Sequence, residues 1–134
     1  MRYLFDTNVL SALIKQPTGT LAERVSRLHG DELCTSLVVA CELRCGAPKK
    51  GSQSLIKTVD RLLSRIDVLP LEPEVDRHYA DIRVVLERLG QPIGHNDLFI
   101  AAHARALGLT LVTGNLSEFS RVPGLKVERW LEPA

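Results

Sequence analysis

No stretch of this 134-residue chain is apolar for long enough to cross a bilayer. Its longest uncharged run, 106–117, contains Gly, Thr and Asn and falls well short of the roughly 20 apolar residues that a spanning helix needs. Residues 1–5 lead directly into an apolar, strand-like segment, without the basic leader, apolar stretch and small-residue cleavage site of a secretory signal. These absences point to a cytoplasmic protein with no membrane association. Cysteine is sparse too: Cys34, Cys41 and Cys45 are odd in number and form no C-x-x-C pair, which argues against a disulfide framework. Cys41 and Cys45 share a helix face, but His29, His78, His95 and His103 lack the accompanying spacing of a zinc site.

Charge of either sign is also nearly balanced. A formal net charge of +1 is too small to mark a protein that coats nucleic acid, although Arg44, Lys49 and Lys50 provide local groups able to meet phosphates. The chain has no G-x-x-x-x-G-K-[ST] phosphate loop, no G-x-S-x-G nucleophile turn and no G-x-G-x-x-G dinucleotide signature. Nucleotide-driven and serine-hydrolase chemistries lose their main support.

What is present is an apolar fraction of 45%, enough at this length for one substantial core and one domain over 1–134. Tyr3, Leu4 and Phe5 read as a short buried strand, and Thr7 or Asn8 can cap a helix that stops before Pro17. Leu21, Val25 and Leu28 line one face of a second helix, and a strand follows at 33–35, with Ser36 as the next N-cap. A helix over 37–47 and another carrying Leu55, Val59, Leu62 and Leu63 precede a third strand at 66–71. Helix 72–89 would hold Pro73 in its first turn, and Asn96 can cap helix 97–107, which Gly108 ends. Strands at 109–112 and 126–128 complete the pattern. Such alternation predicts a three-layer α/β domain whose mainly parallel sheet of four to five strands is flanked by helices.

Ligand sites in open parallel sheets lie beyond the carboxyl ends of the strands, and Asp6 stands immediately after the first. Taken alone, Asp6 is equally a turn or cap residue. Glu42 falls on a helix otherwise made mostly of Ala, Cys, Val and Leu, where a carboxylate loses hydration and needs a partner. That partner is either a cation site or an Arg on a neighbouring helix. Asp97 is placed in the first turn of a helix apolar nearly all round, where ordinary capping is again an alternative. If Asp6, Glu42 and Asp97 converge, their repulsion demands a cation, and oxygen ligands with several waters suit Mg²⁺ or Mn²⁺. His95, two residues from Asp97, could act as a proton donor, although a solvated loop histidine is the stronger reading.

The segments L-F-D-T-N from Leu4, E-L at Glu42, P-I-G-H-N-D from Pro92, I-A-A-H-A from Ile100, L-V-T-G-N from Leu111 and E-F-x-R-V-P-G-L from Glu118 together resemble the VapC toxins of the PIN-domain superfamily. The resemblance spans nearly the whole chain. It implies that Asp6, Glu42 and Asp97 form an acidic catalytic site, with Asp6 and Asp97 as direct metal ligands and Asn8 and Thr113 as supporting groups. Many PIN domains carry a fourth acid after strand four, where this chain has Asn115 and, three residues later, Glu118. Either one could complete the site.

As a resemblance, this implies the toxin of a type II toxin-antitoxin system: a Mg²⁺- or Mn²⁺-dependent endoribonuclease that cleaves a specific RNA, typically tRNA. Hydrolysis by metal-activated water would leave 5′-phosphate and 3′-hydroxyl ends. It also implies a homodimer, inhibition by a VapB-like antitoxin, and contact with operator DNA only through that antitoxin. Three competing readings remain in view. A phosphohydrolase using Asp6 as nucleophile would want a second Asp where Asn8 stands, and a receiver domain would want its Asp beside the third strand, where Glu72 and Pro73 follow instead. A degenerate PIN domain that only binds RNA or protein is the alternative that Asn115 keeps open.

Overall fold

The computed structural model describes residues 2–131. Five short strands, β1 (Tyr3–Phe5), β2 (Leu33–Ser36), β3 (Asp67–Leu69), β4 (Thr110–Val112) and β5 (Lys126–Glu128), form one sheet in the order β3-β2-β1-β4-β5. Every pairing is parallel; Tyr3 stands opposite Leu33 on one side and Thr110 on the other. Parallel strands buried on both faces read as continuous apolar runs, and Leu4, Phe5, Leu111 and Val112 have no exposed surface. From β1 the chain steps outward to β2 and β3, then crosses back to β4 and β5 on the other side. The direction of winding therefore reverses at the β1–β4 boundary, the place where a crevice opens in folds of this type.

Connecting the strands are α1 (Thr7–Lys15), α2 (Thr20–Ser26), α3 (Leu37–Lys49), α4 (Gln53–Arg65), α5 (Val75–Arg88), α6 (His95–Leu107) and α7 (Leu116–Phe119). Crossovers in two opposite directions along the sheet put helices on both of its faces, giving the three layers expected. Helix α6 is the most deeply embedded: Leu98, Ile100, Ala101, Ala102, His103 and Ala104 are all buried. No described helix is long and apolar enough to cross a membrane. All three cysteines are free thiols, with Cys34 buried and Cys41 and Cys45 exposed.

Several boundaries differ from the sequence expectation, each for a local reason. Asp6, not Thr7 or Asn8, caps α1 by accepting the Thr7 N–H. Helix α3 continues past Ala47 to Lys49, because Pro48 in a last turn removes only one N–H. Helix α5 starts at Val75 and not at residue 72: Glu74 adopts φ 90°, a left-handed conformation that interrupts the helix, while its N–H is taken by Asp76 Oδ1 at 3.0 Å. The cap of α6 is Gly94 in place of Asn96, so Asp97 occupies the third helical position. Helix α7, a single turn, was not anticipated at all.

The single Trp closes the far end of the sheet. Trp130 meets Tyr3 and Phe5 edge-on at centroid distances of 4.9 and 5.2 Å, the guanidinium of Arg24 lies 4.0 Å over its ring, and its Nε1 donates to Glu128 Oε1 at 3.0 Å. The chain after β5 is thereby fastened to the central strand.

Candidate active site

Asp6 leaves β1 in an extended conformation and is only 5% exposed, so its carboxylate must find donors within the protein. Its Oδ1 accepts the backbone N–H of Thr7 at 2.7 Å, and its Oδ2 accepts the hydroxyl of Thr113, beyond β4, at 2.7 Å. Burial pushes the Asp6 carboxyl above its ordinary value; the two hydrogen bonds oppose that rise, and Glu42 and Glu118 add to it. Repulsion from two further acids shows that the carboxylates share one electrostatic neighbourhood.

Glu42 reaches this neighbourhood from α3. The predicted need for a partner is met by a hydroxyl: Thr7 Oγ1 donates to Glu42 Oε1 at 2.7 Å. The alternative of a neighbouring Arg does not occur among the described residues, and Arg44 instead pairs with Asp60 at 2.6 Å. Thr7 thus links the strand-end Asp to the helical Glu, with its N–H on one and its hydroxyl on the other. Its place directly after Asp6 was the only sequence signal for this.

Asp97 comes from the first turn of α6. Its carboxyl is pushed up to about 7, first by burial, then by the charges of Glu118 and Asp6, a hydrogen bond with Glu118, and Glu42. Gly94 leaves room at its side: a Cβ there would lie 4.0 Å from Asp97 Oδ2. Glu118 of α7 is a further acid that acts on Asp97, and Asn115 donates from Nδ2 to Glu118 Oε2 and holds it in place. Asn115 also lends its backbone N–H to Thr113 Oγ1 at 3.0 Å.

Asn8 has a different task. Its Oδ1 accepts the Gly114 N–H at 3.4 Å, and a Cβ on residue 114 would sit 2.9 Å from Asn8 Nδ2. The loop after β4 approaches α1 this closely because residue 114 is glycine.

Asp6, Glu42, Asp97 and Asn115 line one open cleft of about 520 Å³ together with Thr7, Asn8, Ser11, Ala12 and Lys15. Sequence reasoning singled out neither Ser11 nor Lys15, whose spacing of four along α1 turns both toward the acids. Among the described residues no three His, Cys, Asp or Glu side chains close on a single point as a complete coordination set. The carboxylate oxygens of Asp6, Glu42 and Asp97 on this cleft are the kind of donor that suits a hard divalent cation keeping several of its waters.

Residues 3–125 match the family model described as the PIN domain. The chain belongs to the PIN-domain family. Relatives of this PIN domain include Ribonuclease VapC2 of Haemophilus influenzae, 36% identical over 132 residues that cover 98% of this chain and 99% of that protein. The tRNA(fMet)-specific endonuclease VapC of Shigella flexneri is 37% identical over 131 residues, covering 97% and 98%. Among solved structures, VapBC2 from Rickettsia felis bound to a DNA fragment from its promoter superposes with a TM-score of 0.91 at 33% identity, covering 97% of this PIN domain and 99% of that chain. Full-length matches at this identity make this PIN domain a VapC-type ribonuclease.

Proposed function

We propose that this chain, a single PIN domain over 1–134, acts as a divalent-metal-dependent endoribonuclease in which Asp6, Glu42 and Asp97 are the catalytic acids and Asp6 and Asp97 hold Mg²⁺ or Mn²⁺. The observation that carries this reading is the convergence of Asp6, Glu42 and Asp97 on one cleft, where burial and the neighbouring acids raise Asp6 and push Asp97 up to about 7. A cation bound there would favour the ionised forms of both carboxyls. Glu118, held by Asn115, supplies the fourth charge that many PIN domains take from an aspartate at the Asn115 position.

A divalent cation bound there would lower the pKa of a water and neutralise charge gathering on the phosphodiester. Thr113 and Thr7 donate to the Asp6 carboxylate, which favours its ionised form and aims it. Thr7 also fixes Glu42 against Asp6, while Lys15 offers the cleft a cationic group able to meet a substrate phosphate. Water attack predicts 5′-phosphate and 3′-hydroxyl products.

The substrate class we infer is tRNA, in keeping with the relative named for that substrate. An apolar groove lined by Ile14, Leu43, Ala47, Leu55 and Val59 adjoins the cleft at Thr7 and Glu42, and it suits the tail of a VapB-like antitoxin that inhibits the toxin by covering both. We infer a cytoplasmic homodimer that meets operator DNA only through that antitoxin, an arrangement supported by the promoter-bound VapBC2 complex.

The deciding experiment incubates antitoxin-free protein with total RNA and Mg²⁺ or Mn²⁺, beside EDTA and Asp6→Asn controls, and maps the cut ends. Cleavage with 5′-phosphate ends, abolished by both controls, is expected. Ends carrying 2′,3′-cyclic phosphate would refute attack by water, and a folded protein that cuts nothing with either metal would establish the binding-only alternative.

A further inference from the structure

Ser36 and His103 are joined by a 2.9 Å hydrogen bond between Oγ and Nδ1, and both residues are fully buried. Neither lines the acidic cleft. Ser36 is the N-cap of α3, where its Oγ accepts the Val38 N–H at 3.1 Å, and His103 lies in the second half of α6. The bond fastens the start of one acid-bearing helix to the later turns of the other.

Position along the two helices gives this bond its consequence. Glu42 follows Ser36 by six residues on α3, and Asp97 precedes His103 by six on α6. Each interval is about 9 Å of helix axis at the ordinary rise per residue. Helices α3 and α6 pack together, and Glu42 and Asp97 line the same cleft. Ser36 meets His103 across the two helices, and Glu42 and Asp97, at equal spacing from that bond and in reversed order, face one cleft. The helices pass each other in opposite senses, and fixing one rung fixes the gap at the other.

His103 is a costly residue to place here for packing alone. Burial pushes its imidazole below the ordinary value, opposed by a hydrogen bond to the Pro70 backbone and by the charge of Glu72. An apolar side chain of similar size would avoid the desolvation of two ring nitrogens. What the imidazole provides beyond bulk is a polar contact with the Pro70 backbone and, on α3, the bond to Ser36.

We propose that His103 is a positioning residue, which through Ser36 sets the register of α3 against α6 and so the separation of Glu42 from Asp97. The inference rests on the reading of those two acids as parts of a metal-dependent nuclease site.

The test compares wild type with His103→Leu, which keeps bulk and loses the bond, and His103→Asn, whose amide can reach Ser36 as Nδ1 does. Mn²⁺ binding is read by the paramagnetic resonance of the free ion, and kcat and KM are read on a cleaved RNA, at a temperature where thermal melts show all three folded. For His103→Leu, Mn²⁺ affinity and kcat are expected to fall about tenfold or more with KM for RNA unchanged, and His103→Asn recovers most of both. Should His103→Leu not fold, Ser36→Ala against Ser36→Thr carries the same comparison from the other side of the bond. A wild type that binds Mn²⁺ and cuts RNA while His103→Leu matches it, or while His103→Asn is equally impaired, overturns the positioning role alone. A wild type that does neither overturns the nuclease reading and the proposal with it.

Discussion

Thr113 Oγ1 donates to Asp6 Oδ2 at 2.7 Å across the β1–β4 boundary, while its own lone pair is occupied by the Asn115 N–H at 3.0 Å. The hydroxyl proton is thus committed to the carboxylate, and this bond is the largest influence lowering the Asp6 pKa against burial. In Thr113→Val the shape is kept and the donor lost, so the Asp6 carboxyl rises further. A hydrogen bond to a charged group is worth about 1.5–3 kcal/mol, equivalent to roughly one to two pH units. The acid limb of the kcat/KM profile should move to higher pH by about that amount, with activity at pH 6 suffering more than at pH 8. An unmoved acid limb would remove Thr113 from this role.

Asp97 makes the metal-free protein less stable as pH rises. Its carboxyl stands at about 7 in the folded state against 3.8 as the ordinary value, so the folded protein holds this proton more tightly than the unfolded chain. The stability it contributes is complete below the unfolded value and is lost as pH rises through about 7. In EDTA, Asp97→Asn should match wild type near pH 4 and exceed it above pH 7, by roughly 1–2 kcal/mol after solvent screening. Urea melts at both pH values check this, and a variant less stable than wild type at pH 8 contradicts it.

Addition of Mg²⁺ should reverse the same strain. Binding to the folded state alone stabilises by about 2.7 kcal/mol at a hundredfold excess over Kd. Wild type is expected to gain thermal stability with Mg²⁺ at pH 8, and Asp6→Asn and Asp97→Asn to gain little. Equal gains in all three would place the cation elsewhere.

Glu118 and Asn115 can be separated by exchange. Glu118→Gln removes the charge that acts most strongly on Asp97, which lowers the Asp97 pKa and weakens the cation site. Asn115→Asp sets a second carboxylate against Glu118 Oε2, where Asn115 Nδ2 now donates. Metal-free Asn115→Asp should therefore be destabilised at pH 8, with Mg²⁺ recovering part of the loss. If Glu118→Gln cleaves RNA as wild type does, Asn115 and not Glu118 completes the site.

The sequence made the sheet legible because strands buried on both faces leave runs such as Tyr3-Leu4-Phe5 that nothing else explains. It also made Asp6, Glu42 and Asp97 legible, since a carboxylate beside apolar neighbours always needs a reason. Contacts between distant segments were hidden. The bond from Thr7 to Glu42 spans 35 residues and that from Thr113 to Asp6 spans 107, and neither leaves a local pattern. Helix starts were misplaced where caps compete: Asp6 won over Thr7 and Asn8, and Gly94 over Asn96, because tertiary contacts decide which backbone stays extended. The left-handed turn at Glu74 carries no glycine to announce it.

Trp130 stacks its edge contacts on Tyr3 and Phe5, and the residue after Phe5 is Asp6. The chain's one indole is consequently a built-in optical gauge on the strand that leads into the first of the proposed catalytic acids. Its emission should shift whenever a cation draws on Asp6, so occupancy of the site can be titrated by intrinsic fluorescence, with no label attached and no RNA present.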